Sequence, residues 1–175
     1  MAGIDESAAF HPLNIAIMTV SDSRTPETDT SGRTLCERAT GAGHSVTEQA
    51  IVTDDFDAIV SALNDWVDRE DIDVIITTGG TGVTGRDVTP EAVHDVGDKH
   101  IPGFGELFRW LSYKLISTST IQSRATAVVA RGTYIFACPG SPGACRDAWD
   151  GILRDQLDIR HRPCNFAELI PRLRE

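Results

Sequence analysis

The chain has 175 residues, of which 41% are hydrophobic and 24% charged, and its formal net charge is -10 at neutral pH. That length suits one domain with a full core. The acidic balance, with Lys99 and Lys114 as the two lysines, argues against nucleic acid or an anionic membrane as partner, since both need clustered cations.

Any anionic ligand must therefore be held locally, by backbone N–H groups and a few arginines. The opening "MAGIDESAAFHPL" lacks the basic start and apolar centre of a signal peptide, and no segment approaches the roughly 18 apolar residues of a membrane helix. A cytoplasmic protein is expected, one domain over 1–175 with 1–12 as a flexible N-terminal extension. Cys36, Cys138, Cys145 and Cys164 form no CxxC and suit neither a zinc site nor a disulfide scaffold, so buried or neutral thiols are expected. The five histidines make no HExxH or related ligand spacing.

"NIAIMTV" (14–20) is an almost continuous apolar run, as in a strand buried on both faces. The turn-rich "SDSRTPETDTSG" (21–32) ends in Thr30-Ser31, expected to cap a helix that carries Leu35, Cys36 and Ala39 inward. Gly41 and Gly43 stop it, and "SVTEQAIV" (45–52) reads as a second strand. Phe56, Ile59, Val60, Leu63, Trp66 and Val67 then repeat at helical spacing, ahead of a third strand, "DVIITT" (73–78). Such alternation of strand and helix marks a parallel sheet with right-handed crossovers.

Beyond the glycine loop, Thr89 is expected to cap a short helix that has Pro90 in its first turn and runs to about Val96. Phe104, Leu107, Phe108, Leu111 and Leu115 define another amphipathic helix. "TAVVA" and "TYIFAC", joined by Arg131-Gly132, predict a hairpin, which makes the sheet mixed. In "CPGSPGACRDAWDGIL" Ser141 caps a helix with Pro142 at its first position and Cys145, Ala148, Trp149, Ile152 and Leu153 inward. The tail "RHRPCNFAELIPRLRE" is expected to be non-helical and to place Phe166 and Leu169 against a neighbouring subunit. The fold class is α/β, a three-layer sandwich around a mostly parallel, mixed sheet.

Ligands of such sheets bind where strands end, so the loops 21–32, 53–55, 79–89 and 139–143 are the candidates. Gly80, Gly82 and Gly85 have GxGxxG spacing, but the next helix starts only at Thr89-Pro90, and Glu106 falls within a helix rather than at a strand end. The dinucleotide fingerprint therefore fails on context, and without a lysine the loop is no Walker A motif. What remains is a glycine and threonine loop whose N–H groups can cradle phosphate oxygens. An aspartate beside an anion site suits a cation: magnesium takes one or two carboxylates and completes its shell with water and phosphates, which Asp87 with Asp54 or Asp55 would provide. Each aspartate also has a local reading, as a helix cap or a turn residue.

"TVSDSR", "DTSG", "TTGGTG", "RDVTPEA", "PGFGELFR", "QSRA", "CPGS" and "RPCNF", in this order over nearly the whole chain, resemble the MoaB/MogA family of molybdenum cofactor biosynthesis proteins. The resemblance implies a molybdopterin-binding α/β fold assembled as a homotrimer, or as a hexamer of two trimers. It implies transfer of AMP from Mg-ATP to the terminal phosphate of molybdopterin, with release of pyrophosphate; the alternative is a non-catalytic molybdopterin-binding or carrier paralogue. The family's essential aspartates fall on Asp54 and Asp87, which would hold Mg2+. Its glycine loop falls on Gly79, Gly80, Thr81 and Gly82, its serine-arginine pair on Ser123 and Arg124, and its PGS turn on Pro139, Gly140 and Ser141. Ser21 and Arg86 join the phosphate-binding set, with Arg86 or Arg124 meeting developing negative charge. Relatives regarded as inactive have an altered RDVTP segment, and here it is intact.

Overall fold

The computed structural model describes residues 3–175. Its main sheet has six strands: β2 (Asn14–Val20), β3 (Ser45–Val52), β4 (Val74–Thr78), β5 (Lys99–His100), β6 (Thr126–Ala130) and β7 (Thr133–Cys138), in the order β3-β2-β4-β7-β6-β5. β3, β2, β4 and β7 pair in parallel; β6 is antiparallel to both β7 and β5, so the sheet is mixed as expected.

The apolar runs read in the sequence are explained by two cores, one on each face. In β2, Ile15 and Ile17 face one core while Ala16, Met18 and Val20 face the other; β4 and β7 divide likewise. A strand covered on both sides has no polar face to show. Each such aliphatic side chain contributes about 1.5–3 kcal/mol when fully buried. Helices α1 (Thr30–Gly41), α4 (Pro102–Ile116) and α5 (Pro142–Ala148) cover the first face, and α2 (Phe56–Val67) and α3 (Thr89–Val96) the second. These are the three layers expected. The hairpin turn is Arg131-Gly132, both residues at positive φ, as a two-residue connection requires. Ser141 caps α5, its Oγ accepting the Ala144 N–H at 3.1 Å.

Several local expectations are corrected. Helix α1 is capped by Asp29, whose Oδ1 accepts the Gly32 N–H at 2.8 Å while Oδ2 accepts the Thr19 hydroxyl at 2.6 Å. A carboxylate has two oxygens and can cap and tie the helix to β2 at once, which Thr30 cannot. Thr89 is the first residue of α3 and does not cap it; its hydroxyl is buried without a partner beneath Gly80. Phe56, first in α2, is exposed, and along α4 Leu107 and Leu115 face outward beside Trp110 and Tyr113. Cys36 is half-buried and Cys138 and Cys145 buried, whereas Cys164 is exposed. Burial pushes the Cys36 and Cys145 thiols up to about 11.

The tail packs on its own chain. Phe166 lies with its ring centroid 4.9 Å from that of Tyr134 and 5.7 Å from that of Phe136. Residues Ala167–Arg172 form a 3-10 helix, which overturns the non-helical expectation. Part of the stretch read as an extension also has a place in the fold, since β1 (Gly3–Ile4) pairs antiparallel with β8 (His161–Arg162). Among the described residues no helix is long and apolar enough to cross a membrane.

Candidate functional site

Strand β2 lies between β3 and β4: the chain crosses from β2 to β3 on one side and then passes back over β2 to β4 on the other, and this reversal opens a crevice above the carboxyl ends of the strands. All four loops singled out in the sequence end there: those after β2, β3, β4 and β7.

The floor is a crossing of two glycine turns. Gly79 has φ 106° and Gly80 φ 63°, values that glycine adopts readily and other residues rarely. A side chain on Gly79 would strike the Val20 carbonyl, and a Cβ on Gly140 would lie 3.0 Å from the Gly79 Cα. Thr78 fastens the crossing, its hydroxyl donating to the Pro139 carbonyl at 3.0 Å, and Ser31 donates to the Gly140 carbonyl at 3.3 Å. Gly80 and Gly140 line two cavities. One, of about 540 Å³, has Thr81, Ser123 and Ser141 on its wall and Phe108 and Ile116 as apolar surface. The other, of about 260 Å³, takes in Ser21, Arg24 and Asp29.

The two aspartates expected to act reach this floor from different strand ends. Asp55 caps α2, its Oδ1 accepting the Ala58 N–H at 3.0 Å, which leaves Asp54 outside the helix. An Asp54 oxygen lies 3.0 Å from where a Cβ of Gly80 would stand, and an Asp87 oxygen 2.8 Å from that of Gly82. Burial, and then the Asp22 carboxylate, push the Asp54 carboxyl above the ordinary carboxylate range, and the Asp87 charge adds to this. Burial also raises Asp87, but the Thr84 hydroxyl at 2.6 Å and N–H at 2.8 Å, with the Gly82 backbone, outweigh it, and the carboxyl sits below its ordinary value. Asp87 is thus a turn residue that also lines the larger cavity. The local excess of negative charge at Asp22, Asp54 and Asp87 fits a divalent cation carried in by phosphates. Among the described residues no group of three or more His, Cys, Asp or Glu is arranged to hold a metal by itself.

The remaining candidates divide. Arg86 pairs with Asp22 and is largely exposed. The Arg124 guanidinium is engaged with the carbonyls of Gly82 and Asp87 and with the Glu91 carboxylate. The Ser21 hydroxyl accepts the Ser23 and Arg24 N–H groups, each at 3.2 Å, and the Ser123 hydroxyl accepts the Ala125 N–H at 3.3 Å. Sequence reasoning passed over Asp22 and Glu91. Asp22 lay in view in "TVSDSR" and Glu91 in "RDVTPEA", but their partners lie far along the chain, Asp54 and Arg86 for one and Arg124 for the other.

An open α/β sheet whose glycine turns and acidic residues meet at a switch-point crevice belongs to the doubly wound class, whose ligands lie at the carboxyl ends of the strands. Residues 16–159 match the family model described as "Probable molybdopterin binding domain", and the chain belongs to that family. It is 51% identical over 160 residues to molybdenum cofactor biosynthesis protein B of Escherichia coli strain K12, covering 91% of this chain and 94% of that one. It is 47% identical over 142 residues to the protein of the same name from Bacillus cereus, covering 81% and 84%. A crystal structure of molybdenum cofactor biosynthesis protein B superposes with a TM-score of 0.86 at 41% identity, over 95% of this chain and 98% of that one. These relatives are named as proteins of molybdenum cofactor biosynthesis.

Proposed function

We propose that this chain binds molybdopterin and adenylylates it with Mg-ATP in the cytoplasm. A terminal phosphate oxygen of molybdopterin attacks the α-phosphorus of ATP, the bond to the β-phosphate oxygen breaks, and pyrophosphate leaves. The observation that carries the reading is the convergence of Asp54 and Asp87, from two strand ends, on the Gly80–Gly82 turn, with Asp54 against Gly80, which lines both cavities, and Asp87 against Gly82 in the wall of the larger. The larger cavity, with hydroxyls on one wall and Phe108 on another, suits an amphipathic ring system bearing a phosphate, and the smaller suits nucleotide phosphates.

The protein needs to provide alignment and charge neutralisation, because the substrate brings its own nucleophile. Asp54 and Asp87 are the residues that would hold the Mg2+ brought by ATP, and the ion would offset charge on the phosphate oxygens. The N–H groups of Gly80 and Thr81, the Thr81 hydroxyl and the Pro139–Ser141 turn face those oxygens, while the Gly79 N–H is taken by the Cys138 carbonyl. Arg86, freed from Asp22, answers the charge that develops as pyrophosphate leaves. The outward apolar face of α4, with Trp110, Tyr113 and Leu115, supports assembly of three chains or of two such trimers.

The test is incubation of the purified protein with molybdopterin and Mg-ATP, with Asp87→Ala alongside, and chromatography for adenylylated pterin. Product from the parent and none from a folded variant is expected. Binding of molybdopterin without product in either would replace the enzyme with a carrier.

A further inference from the structure

Arg124 lies in the short link between the 3-10 turn Ser117–Gln122 and β6. Its backbone N–H donates to the Thr81 carbonyl at 2.9 Å. Its Nε donates to the Gly82 carbonyl at 2.6 Å, its Nη2 to the Asp87 carbonyl at 2.6 Å, and its Nη1 pairs with Glu91 in the first turn of α3. One planar group thus holds both ends of the segment from Gly82 to Asp87, and a carboxylate fixes the third direction of its fork.

The consequence falls on Asp87. Its carboxylate is aimed by the turn from Thr84, whose N–H and hydroxyl it accepts, and that turn closes with the Asp87 N–H donating to the Thr84 carbonyl at 3.1 Å. If the two carbonyls that Arg124 gathers drift apart, the turn loses its base and the carboxylate its direction. Guanidinium suits this task because its donors are rigid, coplanar and separated; a lysine presents three donors from one point and cannot span two carbonyls and a carboxylate together.

We propose that Arg124 is a positioning residue, oriented by Glu91, which staples the Gly82–Asp87 loop and aims the Asp87 carboxylate, and that it is not a phosphate ligand. The part concerning Asp87 in turnover rests on the adenylyltransferase reading; the staple itself does not.

The experiment begins without ligand. Hydrogen exchange by mass spectrometry is followed on a peptide spanning 79–90 in the parent, Arg124→Ala, Arg124→Lys and Glu91→Gln, with a peptide from the β6–β7 hairpin as the control for folding. Exchange in the loop should rise about tenfold in both Arg124 variants, and less in Glu91→Gln, with the hairpin unchanged. Turnover and Mg-ATP affinity are then measured. Partners that orient a metal-holding group typically matter by about 10–100-fold, and a loss of that order in kcat is expected for Arg124→Ala and Arg124→Lys alike, with KM for molybdopterin unchanged. Loop exchange equal to the parent in all three variants overturns the staple. Full ATP affinity and turnover in Arg124→Lys, with loss in Arg124→Ala, overturns it in favour of a direct phosphate contact. If the parent neither binds nor turns over Mg-ATP, the adenylyltransferase reading falls, and the exchange rates still decide the staple.

Discussion

The Asp22 carboxylate accepts the backbone N–H of Asp54 at 3.0 Å, and its other oxygen pairs with Arg86. A residue of the loop after β2 thereby holds the loops after β3 and β4 in one arrangement. Both side chains of the ion pair are well exposed, so its loss changes stability by less than about 1 kcal/mol. The anchor on the Asp54 N–H is what function should feel: Asp22→Ala lowers AMP transfer about tenfold, because the Asp54 backbone is no longer held. Asp22→Asn, which keeps an acceptor for that N–H, retains more. Urea unfolding and the transfer assay, run on both variants, check this; a large stability loss with unchanged turnover would sink it.

Gly79 and Gly85 should behave as opposites, although both stand in the same glycine-rich loop. Alanine at Gly79 combines a left-handed backbone with a collision against the Val20 carbonyl. Gly79→Ala should cost roughly 2–4 kcal/mol. A Cβ at Gly85 meets nothing within 4 Å. Gly85→Ala should stay within about 0.5 kcal/mol of the parent. Urea denaturation distinguishes the two, and equal costs would mean that the loop packs otherwise.

His44 makes stability depend on pH at the opposite end of the sheet. It is buried, its Nδ1 accepts the Leu13 N–H at 3.1 Å, and the Trp149 ring lies edge-on at 6.1 Å. Burial lowers its pKa from the ordinary value, with Asp158 partly opposing. In the unfolded chain the imidazole titrates near 6.5, so the unfolded state binds the proton more readily. The stability linked to neutral His44 is whole above about pH 6.5 and is lost as pH falls toward and through the folded value. His94, lowered first by burial and then by His100, acts in the same direction. Urea midpoints measured from pH 8 down to pH 5 should fall, and should fall less in His44→Asn, which keeps an acceptor for the Leu13 N–H. Parallel curves would remove His44 from the account.

The outward face of α4 carries Trp110 at 58% exposure, Leu115 at 67% and, just beyond the helix, Ile121 at 81%. A patch of this kind marks a contact surface. Light scattering of the parent should give a mass of three or six chains. Trp110→Glu should weaken that assembly by about 2 kcal/mol or more, since buried aromatic anchors carry much of an interface. A monomeric parent, or a variant that assembles as well as the parent, would refute the assignment.

Much of this was written in the sequence. The runs at 14–20 and 74–78, the hairpin at Arg131-Gly132, the Ser141 cap and the glycine turns each follow from a local pattern, and local patterns survive being read one residue after another. The order of motifs from "TVSDSR" to "RPCNF" also identified the family, because so many short constraints in one succession are specific where a single glycine spacing is not. The cap of α2 by Asp55, with Asp54 left outside the helix, is a local reading that the structure bears out. Tertiary structure alone chose Asp29 over Thr30 as the cap of α1 and an outward aspect for Leu107 and Leu115. It also drew Phe166 onto Tyr134, and gave Asp22 and Glu91 their partners. Each of those choices turns on a contact with a residue distant in sequence, such as Thr19 for Asp29 or Arg124 for Glu91, and only the assembled sheet brings those partners within reach.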